Sequence, residues 1–161
     1  MKKNIFICFV LFCFISCSKD KISIDKIIKE YNNEDFQQLK GVLISYRGIN
    51  GDNVILTVNK FNGDCSPYMI TINPQTKKIV EIRNHLVIKK CNDYFNHEEI
   101  QKYVSCFLNY NFIVLGVDYN GNVYINPDKQ QPPNIVRING KYEKDSYKKF
   151  KVYKGNWLIL K

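Results

Sequence analysis

Alanine is absent from this 161-residue chain, and histidine occurs only as His85 and His97. Alanine is the strongest helix former, whereas the abundant isoleucine and tyrosine suit pleated strands, so the composition favours sheet over helix. A codon bias toward AT-rich DNA would give the same composition without structural meaning, and both explanations stay open. The scarcity of histidine limits most hydrolytic schemes and most metal sites built on imidazole.

Short motifs of common enzyme chemistry are also missing. The chain has no Cys-x-x-Cys pair, no Gly-x-Ser-x-Gly elbow, no phosphate-binding loop and no Gly-x-Gly-x-x-Gly. The helix start at His97 lacks the second histidine that a zinc protease needs, and no two carboxylates form an obvious acid/base couple. The oxygen-rich segment 118–122 lacks the closing glutamate of a calcium loop. These absences predict a protein that is not an enzyme and that holds no metal ion or other cofactor.

The first sixteen residues have the layout of a secretion signal. Two lysines follow the initiating methionine, an unbroken apolar run covers residues 5–15, and Ser16 precedes Cys17. This arrangement resembles the signal peptide of a bacterial lipoprotein, with Phe14 at a position where that family usually has leucine. The resemblance implies that the thiol of Cys17 receives a diacylglycerol and that cleavage occurs on its amino side. The mature chain would then begin with the lipidated cysteine.

An uncleaved membrane anchor is the alternative for this segment. Eleven helical residues span about 16 Å at about 1.5 Å each, well short of the roughly 30 Å hydrocarbon core of a bilayer. A cleaved signal is therefore favoured, and no later segment approaches the length of an apolar span. The expected location is the bacterial cell envelope, attached by lipid to the outer membrane on its periplasmic face or at the cell surface.

The hydrophobic pattern divides the chain into three parts. Residues 1–16 form the expected signal peptide, residues 17–24 the lipidated cysteine and a short tether, and residues 25–161 a single domain. The expected fold class is α+β, with two short helices, an antiparallel β meander and hairpins. Helices are expected over 25–39, with Asp25 as N-cap and an interruption at 32–33, and over 97–110, after Asn96 as N-cap. Strands are expected over 42–46, 54–58, 68–72, 78–82 with a continuation at 86–88, 112–118, 122–125, 135–138, 151–153 and 157–160.

The two halves of the domain contain a sequence echo. Ile-Asn-Pro at 72–74 followed by a strand at 79–82 recurs as Ile-Asn-Pro at 125–127 followed by a strand at 135–138. A duplicated helix-plus-strands unit would explain this echo. Its unequal spacing also permits coincidence in a chain rich in isoleucine and asparagine, and both explanations stay open.

Three cysteines other than Cys17 remain in the expected mature chain, and an oxidising compartment permits one disulfide among them. Cys65 and Cys91 both lie near strand ends beside turn residues, whereas Cys106 lies within the pattern of the second helix. We therefore expect a disulfide between Cys65 and Cys91, with Cys106 reduced. Three reduced, buried cysteines are the alternative.

Positive charge is concentrated at the end of the chain. The net charge is +9, and from Arg137 to Lys161 eight basic residues face only two acidic residues. Nucleic acid is not expected as a partner, because the stretch has no nucleic-acid motif and an envelope protein does not normally meet nucleic acid. An acidic protein, an anionic glycan or anionic lipid headgroups are expected instead, and a merely solvated lysine-rich face is the alternative. The expected contact surface combines lysines with an aromatic anchor: Lys148, Lys149, Lys151, Lys154 and Trp157.

Together these patterns predict an envelope-anchored lipoprotein that binds a macromolecule without catalysing a reaction. A protective, immunity-like protein that neutralises a toxin or caps a partner fits the small size and the charged, tyrosine-bearing surface. A glycan-binding accessory lipoprotein is the first alternative, and a small envelope enzyme is the second.

Overall fold

A computed structural model describes residues 23–84 and 93–161 of the chain. The expected signal peptide, Cys17, Cys91 and the expected strand continuation at 86–88 lie outside these residues. The described residues form two α-helices, nine β-strands and a short 3-10 turn at Gln37–Leu39. The helices and strands are α1 Ile24–Tyr31, β1 Val42–Asn50, β2 Asn53–Lys60, β3 Tyr68–Asn73, β4 Lys78–Arg83, α2 His97–Phe107, β5 Val114–Val117, β6 Val123–Asn126, β7 Ile135–Arg137, β8 Phe150–Lys154 and β9 Trp157–Leu160.

All nine strands join one antiparallel sheet in the order β4-β3-β2-β1-β5-β6-β7-β9-β8. Neighbouring strands of the sheet are also consecutive in the chain, with two exceptions: β1 pairs with β5, and β7 pairs with β9. The fold is therefore mostly an open antiparallel sheet that carries two helices, rather than a clear α+β unit. The sheet dominates because alternating β-branched residues pair over most of the chain.

The first helix is shorter than the sequence pattern predicts. It begins after Ser23 rather than Asp25, and it ends at Tyr31 because Asn32 and Asn33 interrupt it. Asparagine side chains compete for backbone hydrogen bonds, which disfavours a helix interior. Residues 37–39, expected in the same helix, form the separate 3-10 turn.

The second helix begins where the sequence predicts. The side chain of Asn96 accepts a hydrogen bond from Glu99 N over 2.9 Å, and Glu99 Oε2 accepts one from Asn96 N over 2.8 Å. This reciprocal pair is a capping box, which satisfies two N–H groups at the helix start. The helix ends at Phe107, a few residues before the expected end, where turn hydrogen bonds replace helical ones.

Both helices pack on the same face of the sheet. Alternate residues of the strands face the helices, so apolar side chains from the two layers form one core. Its fully buried members include Ile27 of α1 and Ile100 of α2 together with Ile44 and Leu56. A second, smaller cluster lies on the opposite face, where Tyr147 and Phe150 pack against Val136, Ile138 and Leu158.

The repeated Ile-Asn-Pro segments have the same local structure but different places in the fold. In each, the asparagine side-chain oxygen accepts backbone N–H groups two and three residues later, over 3.0–3.2 Å. The first segment ends β3, the third strand after α1, whereas the second ends β6, the second strand after α2. The echo therefore reflects shared turn chemistry and does not align two equivalent units. The repeated segments therefore do not support a duplication of the two halves, which stays a prediction.

Candidate binding cleft

A cleft of about 440 Å³ lies beside β8, at one end of the sheet. The turn-rich segment before β8 forms one wall, while β8 itself and the C-terminal residue form the other. The residues lining the cleft are Tyr142, Lys144, Asp145, Tyr147, Lys148, Phe150, Lys151, Val152 and Lys161.

Apolar packing fixes the turn segment against the sheet. Tyr147 and Phe150 pack against the small cluster formed by Val136, Ile138 and Leu158. The N–H of Phe150 donates to Tyr147 O over 2.8 Å, which closes the turn that leads into β8. The hydroxyl of Tyr147 lies 3.4 Å from that of Tyr124, whose pKa is raised by burial. Both the backbone and the aromatic rings therefore hold this wall of the cleft in place.

The cleft carries a strong excess of positive charge. Lys144, Lys148, Lys151 and Lys161 line it and are exposed, whereas Asp145 is the one acidic side chain among the described residues of its lining. Asp145 lies 3.7 Å from Lys148 Nζ, but these side chains are 95% and 75% exposed. An exposed pair of this kind contributes only about 0–1 kcal/mol, so Lys148 remains available to another anion.

Apolar and aromatic surface accompanies this charge. Tyr142, Val152 and Leu160 are all exposed large hydrophobic residues at this end of the sheet. The rings of Tyr142 and Tyr147 stack with centroids 6.1 Å apart and an interplanar angle of 27°. Large exposed apolar side chains among charged ones are typical of a contact surface.

The five residues of the expected contact surface do not all lie at the cleft. Lys148 and Lys151 line the cleft, whereas Lys149 and Lys154 are exposed nearby without lining it. The inclusion of Trp157 is wrong, because only 1% of this residue is exposed. Sequence reasoning did not single out Lys144, Lys161 or the two stacked tyrosines, although they lie in the same lysine- and tyrosine-rich stretch.

Trp157 is buried because β9 is an interior strand. It lies between β7 and β8, and Trp157 belongs to the core cluster that contains both helices. The indole Nε1–H donates to Asn32 Oδ1 over 2.9 Å. The ring therefore joins the sheet to the end of α1 and is not a surface anchor.

Arg137 is likewise engaged inside the fold, although it begins the basic stretch. Its Nη1 donates to three carbonyls at the end of α1, those of Tyr31, Asn32 and Glu34, over 2.8, 3.1 and 2.9 Å. The guanidinium also lies 4.9 Å from the ring centre of Phe36 and 5.9 Å from that of Trp157. Burial lowers the pKa of this group from its ordinary value. A cation at this position satisfies carbonyls that a helix end leaves free and complements the helix dipole.

The cysteines have different states. Cys65 is disulfide-bonded, and Cys106 is a free thiol in α2 whose pKa is raised by burial. Cys91 lies outside the described residues. The pairing of Cys65 with Cys91 therefore stays a prediction.

A second, larger cavity of about 580 Å³ lies between the start of α2 and the end of β4. Asp93, His97 and Glu99 contribute to its lining beside an aromatic cluster. Burial raises the pKa of Tyr94 to about 12, so its phenol stays protonated near neutral pH. Its described lining contains the carboxylates of Asp93 and Glu99 but no lysine or arginine, and this distinguishes it from the basic cleft.

Three further observations bear on function. Within residues 23–84 and 93–161, no group of three or more His, Cys, Asp or Glu side chains is placed to hold a metal ion. No helix in the described part of the chain is both long enough and apolar enough to cross a membrane. No protein-family model, curated protein or solved structure matches the chain.

Proposed function

We propose that this protein is a lipid-anchored envelope protein that binds an acidic partner protein through the basic cleft and catalyses no reaction. The observation that supports this most strongly is the combination of four exposed lysines with exposed Tyr142 and Val152 around one cleft. Aromatic and aliphatic side chains supply buried area in an interface, while the lysines steer and orient a partner of opposite charge. Among the described residues, the cleft lining offers positive charge and apolar area but no histidine or cysteine.

Within this proposal the partner is capped rather than modified, as an immunity-like protective protein would cap a toxin. The cleft is open at the end of a sheet, and its walls are held by packing against the small apolar cluster. A preformed, charged surface favours fast association with a macromolecule of opposite charge. The protective role therefore calls for an acidic partner.

The proposal is tested by affinity purification from envelope extracts with two matched variants as bait. The first variant reverses three cleft lysines: Lys144→Glu, Lys148→Glu and Lys151→Glu. The control makes the same charge change at exposed lysines elsewhere: Lys26→Glu, Lys78→Glu and Lys102→Glu. We expect the wild type and the control to retain an acidic protein that the cleft variant loses. Retention of the same proteins by all three baits would contradict the proposal.

Lipid attachment at Cys17 gives a separate prediction. We expect the mature protein to begin at Cys17 with a diacylglycerol on its thiol, because a positive start, a short apolar run and Ser16 precede it. Intact-mass and peptide mass spectrometry of membrane-extracted protein measures this directly. Cys17→Ser should abolish the lipid, whereas Cys13→Ser, a matched change within the apolar run, should leave it in place. An unmodified Cys17 thiol in mature wild-type protein would contradict the anchor.

An anionic glycan is the second candidate ligand, and the stacked Tyr142–Tyr147 pair beside Lys144 and Lys148 favours it. Tyrosine rings pack against sugar faces while the ammonium groups pair with carboxylates. The two candidates separate when Tyr142→Ala is compared with Tyr153→Ala, since both tyrosines are similarly exposed, at 39% and 42%. Selective loss of polygalacturonate binding in Tyr142→Ala would favour the glycan over the protein partner.

A further inference from the structure

The nine-stranded sheet ends in two outer strands, β4 and β8, and their backbones differ in availability. At the start of β4 the side chain of Gln101 in α2 engages two backbone groups. Its Nε2 donates to Lys77 O over 3.1 Å, and its Oε1 accepts from Ile79 N over 3.4 Å. Backbone groups that are already bonded offer little to an incoming chain. The β4 edge is therefore partly closed.

The register of β8 with β9 shows which backbone groups of β8 point outward. Lys161 N donates to Lys149 O over 3.0 Å, so the backbone of Lys149 faces β9. Leu160 pairs with Phe150, but its N–H points away from β8 and donates to Asn134 O, next to β7, over 2.8 Å. Residues of an antiparallel strand alternate between facing the partner strand and facing away. Phe150 and Val152 therefore direct their backbone groups away from β9.

Three outward groups on β8 have no hydrogen-bond partner among the described residues: Phe150 C=O, Val152 N–H and Val152 C=O. The remaining outward group, Phe150 N–H, is used in the turn that starts at Tyr147. Both Phe150 and Val152 also line the basic cleft. The open strand edge and the cleft lysines therefore form one continuous surface.

We propose that an extended segment of the acidic partner adds to the outer edge of β8 as a further antiparallel strand. This inference rests on the proposed function and specifies how the partner is held. Backbone hydrogen bonds to β8 provide the pairing, and carboxylates of the added strand meet Lys144, Lys148 and Lys151. Val152 is 54% exposed on β8 itself, so an apolar residue of the added strand has a side chain to cover.

A second copy of this chain is a poor occupant of the same edge. Lysines occur at positions 148, 149, 151 and 154, along β8 and the turn before it. Two β8 strands paired together would bring these like charges into register, which destabilises cross-strand pairs. Lysines on an outer strand commonly prevent self-association, and the same charges attract an acidic strand.

The test uses two short synthetic peptides of alternating glutamate and valine, identical except that every backbone amide of one is N-methylated. Methylation removes the N–H donors of both peptide edges, so neither edge can donate to the carbonyls of β8, and it leaves the charge unchanged. We expect wild-type protein to bind the unmethylated peptide at least about tenfold more tightly, because two or more backbone hydrogen bonds are lost with the other. Binding should also slow hydrogen exchange of the Val152 amide, measured by NMR.

Val152→Pro removes the outward N–H without removing a bond to β9, and proline is tolerated at such outer positions. This variant should bind the unmethylated peptide more weakly than wild type does, because position 152 no longer donates to it, whereas Val152→Thr should behave as wild type. Equal affinity of wild type for both peptides, lost in the cleft-lysine variant, would overturn strand addition and leave the basic cleft as a binding surface. Equal binding by wild type and the cleft-lysine variant would overturn the proposed function itself. Failure of wild type to bind either peptide would overturn strand addition.

Discussion

Replacing Arg137 with alanine is expected to lower the free energy of unfolding by about 3 kcal/mol, because three charge-assisted hydrogen bonds disappear together. The guanidinium holds the carbonyl end of α1 against the sheet and lies beside Phe36 and Trp157. A loss of this size lowers the melting temperature by roughly 10 °C in a domain of this length. Chemical denaturation followed by tryptophan fluorescence measures the change, since Trp157 is the single tryptophan of the chain.

Two further variants separate this role from a general effect of charge. Arg47→Ala removes an exposed arginine and should change the stability by less than about 0.5 kcal/mol. Arg137→Lys keeps the charge, but its ammonium ends one bond short of the Nη1 position and it lacks the planar guanidinium that lies beside Phe36, so it should recover less than half of the loss. Stability of Arg137→Ala equal to that of Arg47→Ala would contradict the structural role of Arg137.

Reversal of the three cleft lysines is expected to have the largest effect on binding. In Lys144→Glu, Lys148→Glu and Lys151→Glu together, attraction toward an acidic partner becomes repulsion at the same positions. The association rate constant at low salt should fall by about tenfold to a hundredfold, which lies within the rate enhancement that electrostatic steering provides. Surface plasmon resonance with the purified partner measures this rate.

Salt provides an internal check on the same variant. Exposed charges are screened over about 10 Å at 0.1 M salt and over shorter distances at higher concentrations, so wild-type association should slow as salt rises. The cleft variant should lose most of this dependence, whereas the control at Lys26, Lys78 and Lys102 should keep it. A cleft variant with unchanged rate and unchanged salt dependence would show that these lysines are only a solvated face.

Local patterns were sufficient to predict most of the strands and the start of α2. Alternation of apolar and polar residues located β1, β2 and β3, and the turn between the strands expected over 112–118 and 122–125 lies between β5 and β6. At that turn Gly121 has φ of 83°, and its N–H donates to Asp118 O over 3.0 Å. These features depend on neighbouring residues alone, so a single sequence contains the information.

Burial of Trp157 and Arg137 depends on the order of strands, which local patterns do not specify. In the sequence β8 precedes β9, but in the sheet β9 lies next to β7 and β8 forms the outer edge. The continuous apolar run from Trp157 to Leu160 is typical of a buried strand and was the available signal. The role of Arg137 requires the end of α1 to reach β7, a contact between residues more than a hundred positions apart.

The candidate cleft was only partly predictable for the same reason. Lysine enrichment pointed to the region, and Lys148 and Lys151 line the cleft there, while their role in contact stays a prediction. The cleft itself arises where the turn segment before β8 packs against Val136, Ile138 and Leu158 and where Lys161 comes beside it. That packing brings Tyr142 and Lys144 into the same wall, and no local spacing predicts it.

Lysine footprinting of the complex tests the central claim most directly. The protein and its captured partner would be labelled briefly with an amine-reactive reagent, and the modification of each lysine would be compared with that in the free protein. The basic-cleft account predicts protection of Lys144, Lys148 and Lys151, with Lys26, Lys78 and Lys102 labelled equally in both states. Full reactivity of the cleft lysines in a saturated complex would contradict it and would place the contact surface elsewhere on the molecule.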